Sequence, residues 1–212
     1  MNSLRAATDT RVLLFDVGGV LVQLSGVKTM LEWMGAEATS DKMWKMWLES
    51  KPVREFERGR IDAQEFAQGV TAEFQLPVDP QQFLASFSGW VTGLYPGALE
   101  MLAQIPPSYH RAVLSNSNVL HWTRVADDFN LGSAFHHQFV SHLTGRIKPD
   151  VEAFEHVVES LACRPEHVLF LDDNTLNVDA AKRFGMQAVR VQGIEETRRA
   201  LIERGIIDEA KP

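Results

Sequence analysis

The chain has 212 residues, 45% hydrophobic and 23% charged, ordinary values for one globular domain, or one domain with an insertion, at roughly 150 residues per domain. Its 21 basic and 28 acidic residues give a formal net charge of −7, which argues against a general nucleic-acid binder because such affinity rests on basic patches. The balance does not exclude a phosphorylated substrate, since a local cation can reverse the field at a site.

The polar start, "MNSLRAATDT", reads as loose. The apolar run from Val12 to Leu24 contains Asp16 and is followed by no A-x-A-like cleavage site. It is also shorter than the roughly 20 residues of a membrane span, so neither a span nor a signal peptide is expected and the chain reads as soluble and cytoplasmic. Within that run "RVLLFDV" is the first strand, and Asp16 stands where it meets a turn through Gly18 and Gly19. From about Leu24 to Gly93 the pattern is helical throughout. Trp44 and Trp47, with Met43 and Met46, form an apolar stripe of the kind that packs a helix. Asp62 and Glu65 make a capping-box start, and Asp79 before Pro80 caps another helix.

Beyond residue 94, β-rich runs alternate with helical patterns: "RAVLSNS", "HHQFVSH", "HVLFLDD" and "MQAVRV". Phe154, Val157, Val158 and Leu161 mark one helix face behind an Asp150 N-cap. Gly185 and Gly205 close two later helices. This alternation predicts an α/β fold, a doubly wound parallel sheet, with a helical cap inserted after the first strand. The expected division is a core of residues 1–23 and 94–212 and a cap of residues 24–93. The single cysteine, Cys163, allows no internal disulfide and reads as a small packed hydrophobe in a reducing compartment. His136 and His137 adjoin one strand, where neighbours point to opposite faces and make a poor metal pair.

The strand ends carry the chemistry. The first ends in Asp16, the second in Ser115 and Asn116, Lys148 follows the third, and the fourth ends in Asp172 and Asp173. Ligands of open parallel sheets bind outside the carboxyl ends of the strands, so these groups are expected in one crevice. Three clustered carboxylates repel unless a cation sits among them, and an all-oxygen set favours Mg2+. A lysine and a hydroxyl suit the oxygens of a phosphoryl group, held for attack by Asp16.

"FDVGGVL", "LSNSN", "GRIKPD" and "FLDDN", in this order and with "FERGRIDAQEF" in the insertion, resemble the haloacid dehalogenase superfamily over nearly the whole chain. The likeness is to the branch of sugar-1-phosphate phosphatases and the phosphatase domain of soluble epoxide hydrolase. The resemblance implies a Mg2+-dependent phosphatase of small phosphorylated metabolites, sugar phosphates among them, acting through an aspartyl-phosphate. By it, Asp16 is nucleophile and metal ligand, and the Gly18 carbonyl and Asp173 are further ligands, with Asp172 beside them. Ser115, Asn116, Lys148 and Gly19 hold the phosphate, Lys148 also pairs with Asp16, and Asn177 supports the ligands from behind. Most phosphatases of the superfamily carry a second Asp two positions after the nucleophile, where this chain has Gly18. A general acid at that point is worth about 10²- to 10⁴-fold in rate. Three consequences stay open: leaving groups that need little protonation, such as aryl or anomeric ones, a substitute from the cap, or a slow or inactive protein. Two rival readings follow, a metal-free 2-haloacid dehalogenase and a non-catalytic phosphate-binding regulator. The paired acids Asp172 and Asp173 speak for metal and phosphate.

Overall fold

Val12, Leu13, Leu14 and Phe15 are all buried, as a strand covered on both faces requires. They form β1 (Val12–Phe15) at the centre of the sheet in a computed structural model of the protein that describes residues 10–209. Apart from Thr10, the polar start lies outside the described residues. In chain order there follow β2 (Val22–Leu24), α1 (Gly26–Met34), α2 (Ser40–Glu49), α3 (Lys51–Glu57), α4 (Ala63–Glu73), α5 (Pro80–Phe87) and β3 (Val91–Leu94). After α6 (Ala98–Ala103) come β4 (His110–Ser115), α7 (Val119–Thr123), β5 (His137–Val140), α8 (Ser141–Thr144) and α9 (Val151–Ser160). The chain continues through β6 (Val168–Asp172), α10 (Thr175–Phe184), β7 (Gln187–Arg190) and α11 (Gly193–Glu203).

The five core strands are parallel in the order β5-β4-β1-β6-β7. The chain builds outward on one side of β1 and then on the other, which puts the switch point beside β1 and its carboxyl end at the crevice where such sheets bind ligands. Alternate residues serve opposite faces. Leu13, Phe15, Val113, Leu169 and Leu171 join Met101, Trp122 and Leu201 on one side. Val12, Leu14, Ala112, Phe170 and Val168 join Phe154, Val157 and Ala181 on the other. Cys163 packs against this second cluster, half-buried, and burial pushes its thiol above its ordinary value, which suits packing rather than nucleophilic attack.

The helices between β2 and β3 have a third apolar cluster of their own. Trp47 is its hub, with ring centroids of Phe66, Phe74, Phe87 and Trp90 all within 6.2 Å. The Asp62–Glu65 capping box forms as expected, and Asp79 caps its helix as expected, with Gln82 completing a second box. The insertion is not helical throughout, however. β2 and β3 pair antiparallel and form the stem on which the helices sit. At three and four residues these strands are too short to show an alternating pattern above the helical one.

Asp150 stands at the N-cap position of α9, but its side chain makes no cap bond. Its carboxylate instead receives Arg54 at 3.0 and 2.8 Å and Arg58 at 2.6 Å, both from α3 and its end. Two guanidinium groups thus take the place of one backbone N–H, and each brings a full positive charge to the carboxylate. Just beyond, Gly59 has φ +69 and lies so close to the His142 carbonyl that a Cβ would come within 2.5 Å of it. The end of α3 is therefore pinned to the core beside Lys148. Asp150→Ala should lower stability by about 1–2 kcal/mol, the lower part of the range for charged hydrogen bonds because the pair is partly solvated. The midpoint of a urea transition reads this directly.

Candidate active site

The register sets the site. Phe15 pairs with Val113 on one side and Leu171 on the other. Asp16 and Asp172 thus emerge at one level, with Ser115 one step further along β4. Asp16 is locked in place by its own N–H, which donates to the Leu171 carbonyl at 2.8 Å. Lys148 is 1% exposed, and its Nζ lies 2.8 Å from Asp16 Oδ1 and 2.7 Å from Asp172 Oδ2. Asp16, Asp172 and Asp173 each offer an oxygen within 4.8 Å of the others, and they are the group of three or more potential ligands found among the described residues. His136 and His137 are not part of this cluster: they sit against His110, His136 stacked with ring centroids at 4.6 Å and His137 tilted at 4.8 Å.

Three carboxylates around one ammonium leave an excess of negative charge in a buried place. Burial and the neighbouring Asp172 and Asp173 charges push the Asp16 carboxyl up to about 7 against the pull of Lys148. Burial and Asp172 push Asp173 up to about 6. For Lys148, burial acts downward, but the two carboxylates in contact outweigh it and hold the ammonium above its ordinary value. A divalent cation among the acids would cancel the repulsion, so the donor set, hard oxygens of mixed provenance, fits Mg2+.

The three acids are not equivalent. Asp172 accepts from Asn174 N–H at 2.8 Å, from Asn177 Nδ2 at 3.1 Å on each oxygen, and from Lys148. That occupies all four lone-pair sites of a carboxylate. Asp173 accepts no such set. The helix that follows is capped by Asn174, whose side chain accepts from Leu176 N–H, and so Asp173 is left to the crevice. Asn177 uses its amino group on Asp172 while its Oδ1, buried, has no partner among the described residues.

Gly19 has φ +72, and a Cβ there would meet Asp173 Oδ2 at 2.2 Å. The glycine is therefore required twice, for its backbone conformation and to admit the carboxylate. Gly19→Ala should cost at least about 1–2 kcal/mol for the left-handed conformation alone, checked by thermal unfolding. Gly18 differs: a Cβ there meets Leu24 Cδ1 at 2.9 Å, so Leu24 fills the space where an acid would project.

Asn116, a residue expected at the phosphate, uses its side chain on Lys148. Its Nδ2 donates to the Lys148 carbonyl at 2.9 Å and its Oδ1 accepts from Lys148 N–H at 2.8 Å. A reciprocal amide pair of this kind fixes the Lys148 backbone and leaves little of the side chain for a ligand. Ser141 and Ser117 brace the same loop through paired 2.9 Å bonds. Ser115 is buried at the crevice beside Asp16.

Above these groups lies a cavity of about 580 Å³. Its floor is Asp16, Ser115, Lys148 and Asp173, and its roof is drawn from the cap: Met43, Trp44, Trp47 and Trp90. The Trp44–Trp47 stripe thus packs the cap and faces the site at once. The roof also contains Glu57, from the end of α3. Sequence reasoning missed it, because a glutamate in the charged run "VREFERGR" has the pattern of a solvated helix end.

A doubly wound sheet with a helical cap and this cluster of acids around a lysine defines a hydrolase fold. Residues 10–185 match the haloacid dehalogenase-like hydrolases, and the chain belongs to that family. Among relatives, it is 22% identical to D-ribitol-5-phosphate phosphatase of Bacteroides thetaiotaomicron, over 89% of this chain and 95% of that protein. It is 27% identical to a sesquiterpene phosphatase of Aspergillus oryzae, over 84% of this chain and 88% of the relative. In structure it resembles a haloacid dehalogenase family enzyme of B. thetaiotaomicron solved with magnesium and inorganic phosphate. The TM-score is 0.67 at 24% identity, covering 86% of this chain and 94% of the other. That likeness is one of fold. Among the described residues no helix is long and apolar enough to cross a membrane.

Proposed function

We propose that the protein is a Mg2+-dependent phosphatase of small phosphorylated molecules that works through an aspartyl-phosphate on Asp16. The observation that carries this reading is the convergence of Asp16, Asp172, Asp173 and Lys148 at the carboxyl edge of the sheet. Asp16, Asp173 and the Gly18 carbonyl would hold the ion. Bound there, it neutralises charge on the phosphoryl oxygens and keeps Asp16 ionised at neutral pH.

The chain's own groups do the rest. Asp16, fixed by its N–H and by Lys148, presents one oxygen to phosphorus and takes the phosphoryl group as the ester bond breaks. Lys148, Ser115 and the backbone around Gly19 receive the remaining phosphoryl oxygens, where negative charge grows in the transition state. Asp172 spends its lone pairs holding Lys148, and Asn116 holds the same residue by its backbone. Both are thus positioning residues in this reading, Asn177 steadying Asp172 in turn. Water then cleaves the aspartyl-phosphate.

The leaving group would lie under the cap, against Met43, Trp44, Trp47 and Trp90. The named substrates of the relatives run from a polyol phosphate to a terpenoid one, and this wall favours the apolar end. Esters with an aromatic or branched apolar alcohol should show kcat/KM at least about 10-fold above sugar and glycerol phosphates, since each extra buried CH2 contributes about 0.8 kcal/mol. The test is a panel of phosphate esters assayed with Mg2+ and with EDTA. Activity that requires the ion supports the proposal. Release of halide from a chloroacid in EDTA, with no phosphate release under either condition, overturns it.

A further inference from the structure

We propose that Glu57, contributed by the cap, is the acid–base group that Gly18 does not supply. The inference rests on the phosphatase reading above. Glu57 is half-buried and faces the cavity that contains Asp16, Lys148 and Ser115. It is held there from both flanks: Arg54 and Arg58 are bonded to Asp150, two residues beyond Lys148, and Gly59 is seated on the His142 carbonyl. The cations nearest to it in sequence are thereby engaged elsewhere, and among the described residues no ion pair joins Glu57 to any partner within 4.0 Å.

The turn after Asp16 cannot provide the group, because Gly18 has no side chain and Leu24 occupies its space. His121 lines the cavity, but its Nε2 lies 2.7 Å from the Phe87 carbonyl and its ring stacks on Phe87 at 4.3 Å. Asp41 and Lys45 stand exposed at the rim.

The chemistry agrees. Burial pushes the Glu57 carboxyl up to about 7, against the opposing pull of the Trp47 indole, Lys148, Arg54 and Arg58. Asp16 lies across the same cavity. A group that is half-protonated near neutral pH can both give and take a proton. In the first step an Asp16 oxygen bonds to phosphorus, the P–O bond to the alcohol breaks, and Glu57–COOH passes its proton to the departing oxygen. In the second, Glu57 carboxylate takes a proton from water, the water oxygen bonds to phosphorus, the Asp16–phosphorus link breaks, and inorganic phosphate leaves with Glu57 protonated again.

The experiment compares Glu57→Gln with wild type on 4-nitrophenyl and 4-nitrobenzyl phosphate, esters of similar size whose leaving groups are a stable phenolate and a poor alkoxide. Loss of kcat/KM should be about 10²- to 10³-fold for the benzyl ester and under about 10-fold for the phenyl ester. The alkaline limb of the wild-type pH profile should disappear in the variant. After an acid quench, mass spectrometry should find more phosphorylated Asp16 in the variant, because water is no longer activated. Glu57→Asp should restore part of the benzyl-ester rate if the carboxyl itself is needed. Equal loss on both esters, or an unchanged pH profile, overturns the assignment while the phosphatase reading stands. If wild type hydrolyses neither ester with Mg2+, both fall.

Discussion

Asp16→Asn is expected to lower kcat/KM for any phosphate ester by about 10⁴-fold or more, the scale on which removing a nucleophile acts. The amide oxygen can still accept from Lys148, so the fold should survive, with a far-ultraviolet circular dichroism spectrum like that of wild type. No phosphoryl group should appear on the chain after an acid quench. A second readout concerns the ion. A ligand that binds only the folded state stabilises by RT ln(1 + [L]/Kd). Millimolar Mg2+ should therefore raise the melting temperature of wild type and raise that of Asp16→Asn much less. Residual activity within tenfold of wild type would mean that phosphoryl transfer does not pass through Asp16.

Lys148→Met has the largest expected effect on stability. The ammonium is 1% exposed and lies 2.8 and 2.7 Å from two carboxylates, one of which is itself fully buried. Removing one partner of a buried ionic group leaves uncompensated charge and costs about 3–5 kcal/mol. For a chain of this size that is a fall of roughly 10 °C in melting temperature. The sign of its pH dependence follows from which groups are stranded. Without Lys148 the Asp16 carboxyl loses the cation that opposes the effect of its burial, so its protonation becomes easier. The deficit should be largest near pH 8 and shrink toward pH 5, as protons neutralise the stranded acids. Added Mg2+ should recover part of it. Lys148→Arg should not rescue activity, because the guanidinium fork is larger than the space between the two oxygens and presents its donors in a plane.

Much of this architecture is written in local pattern. The five core strands, the helix ends at Asp62, Asp79 and Gly185, and the gathering of strand-end residues follow from apolar runs, capping chemistry and the alternation of strand and helix. These are properties of neighbouring residues. What escaped were contacts between residues distant in sequence. Asp150 is a cap by spacing, but two arginines almost a hundred positions earlier take its carboxylate. Asn116 stands at a strand end, and its side-chain amide pairs with the backbone of Lys148, 32 residues on. The short stem strands β2 and β3 exist only because they pair with each other.

The amino-acid sequence alone determined the class of fold, the family and the small set of acids, hydroxyl and lysine from which a site could be built, because periodicity and strand-end position are encoded residue by residue. Only the tertiary structure decided how those groups divide the work. It set Asp172 against Lys148 rather than the crevice, made room for Asp173 at Gly19, and brought Glu57 from the cap to the cavity that Asp16 lines. A side chain's role depends on the charges and the dielectric around it, and both are supplied by residues that meet only when the chain has folded.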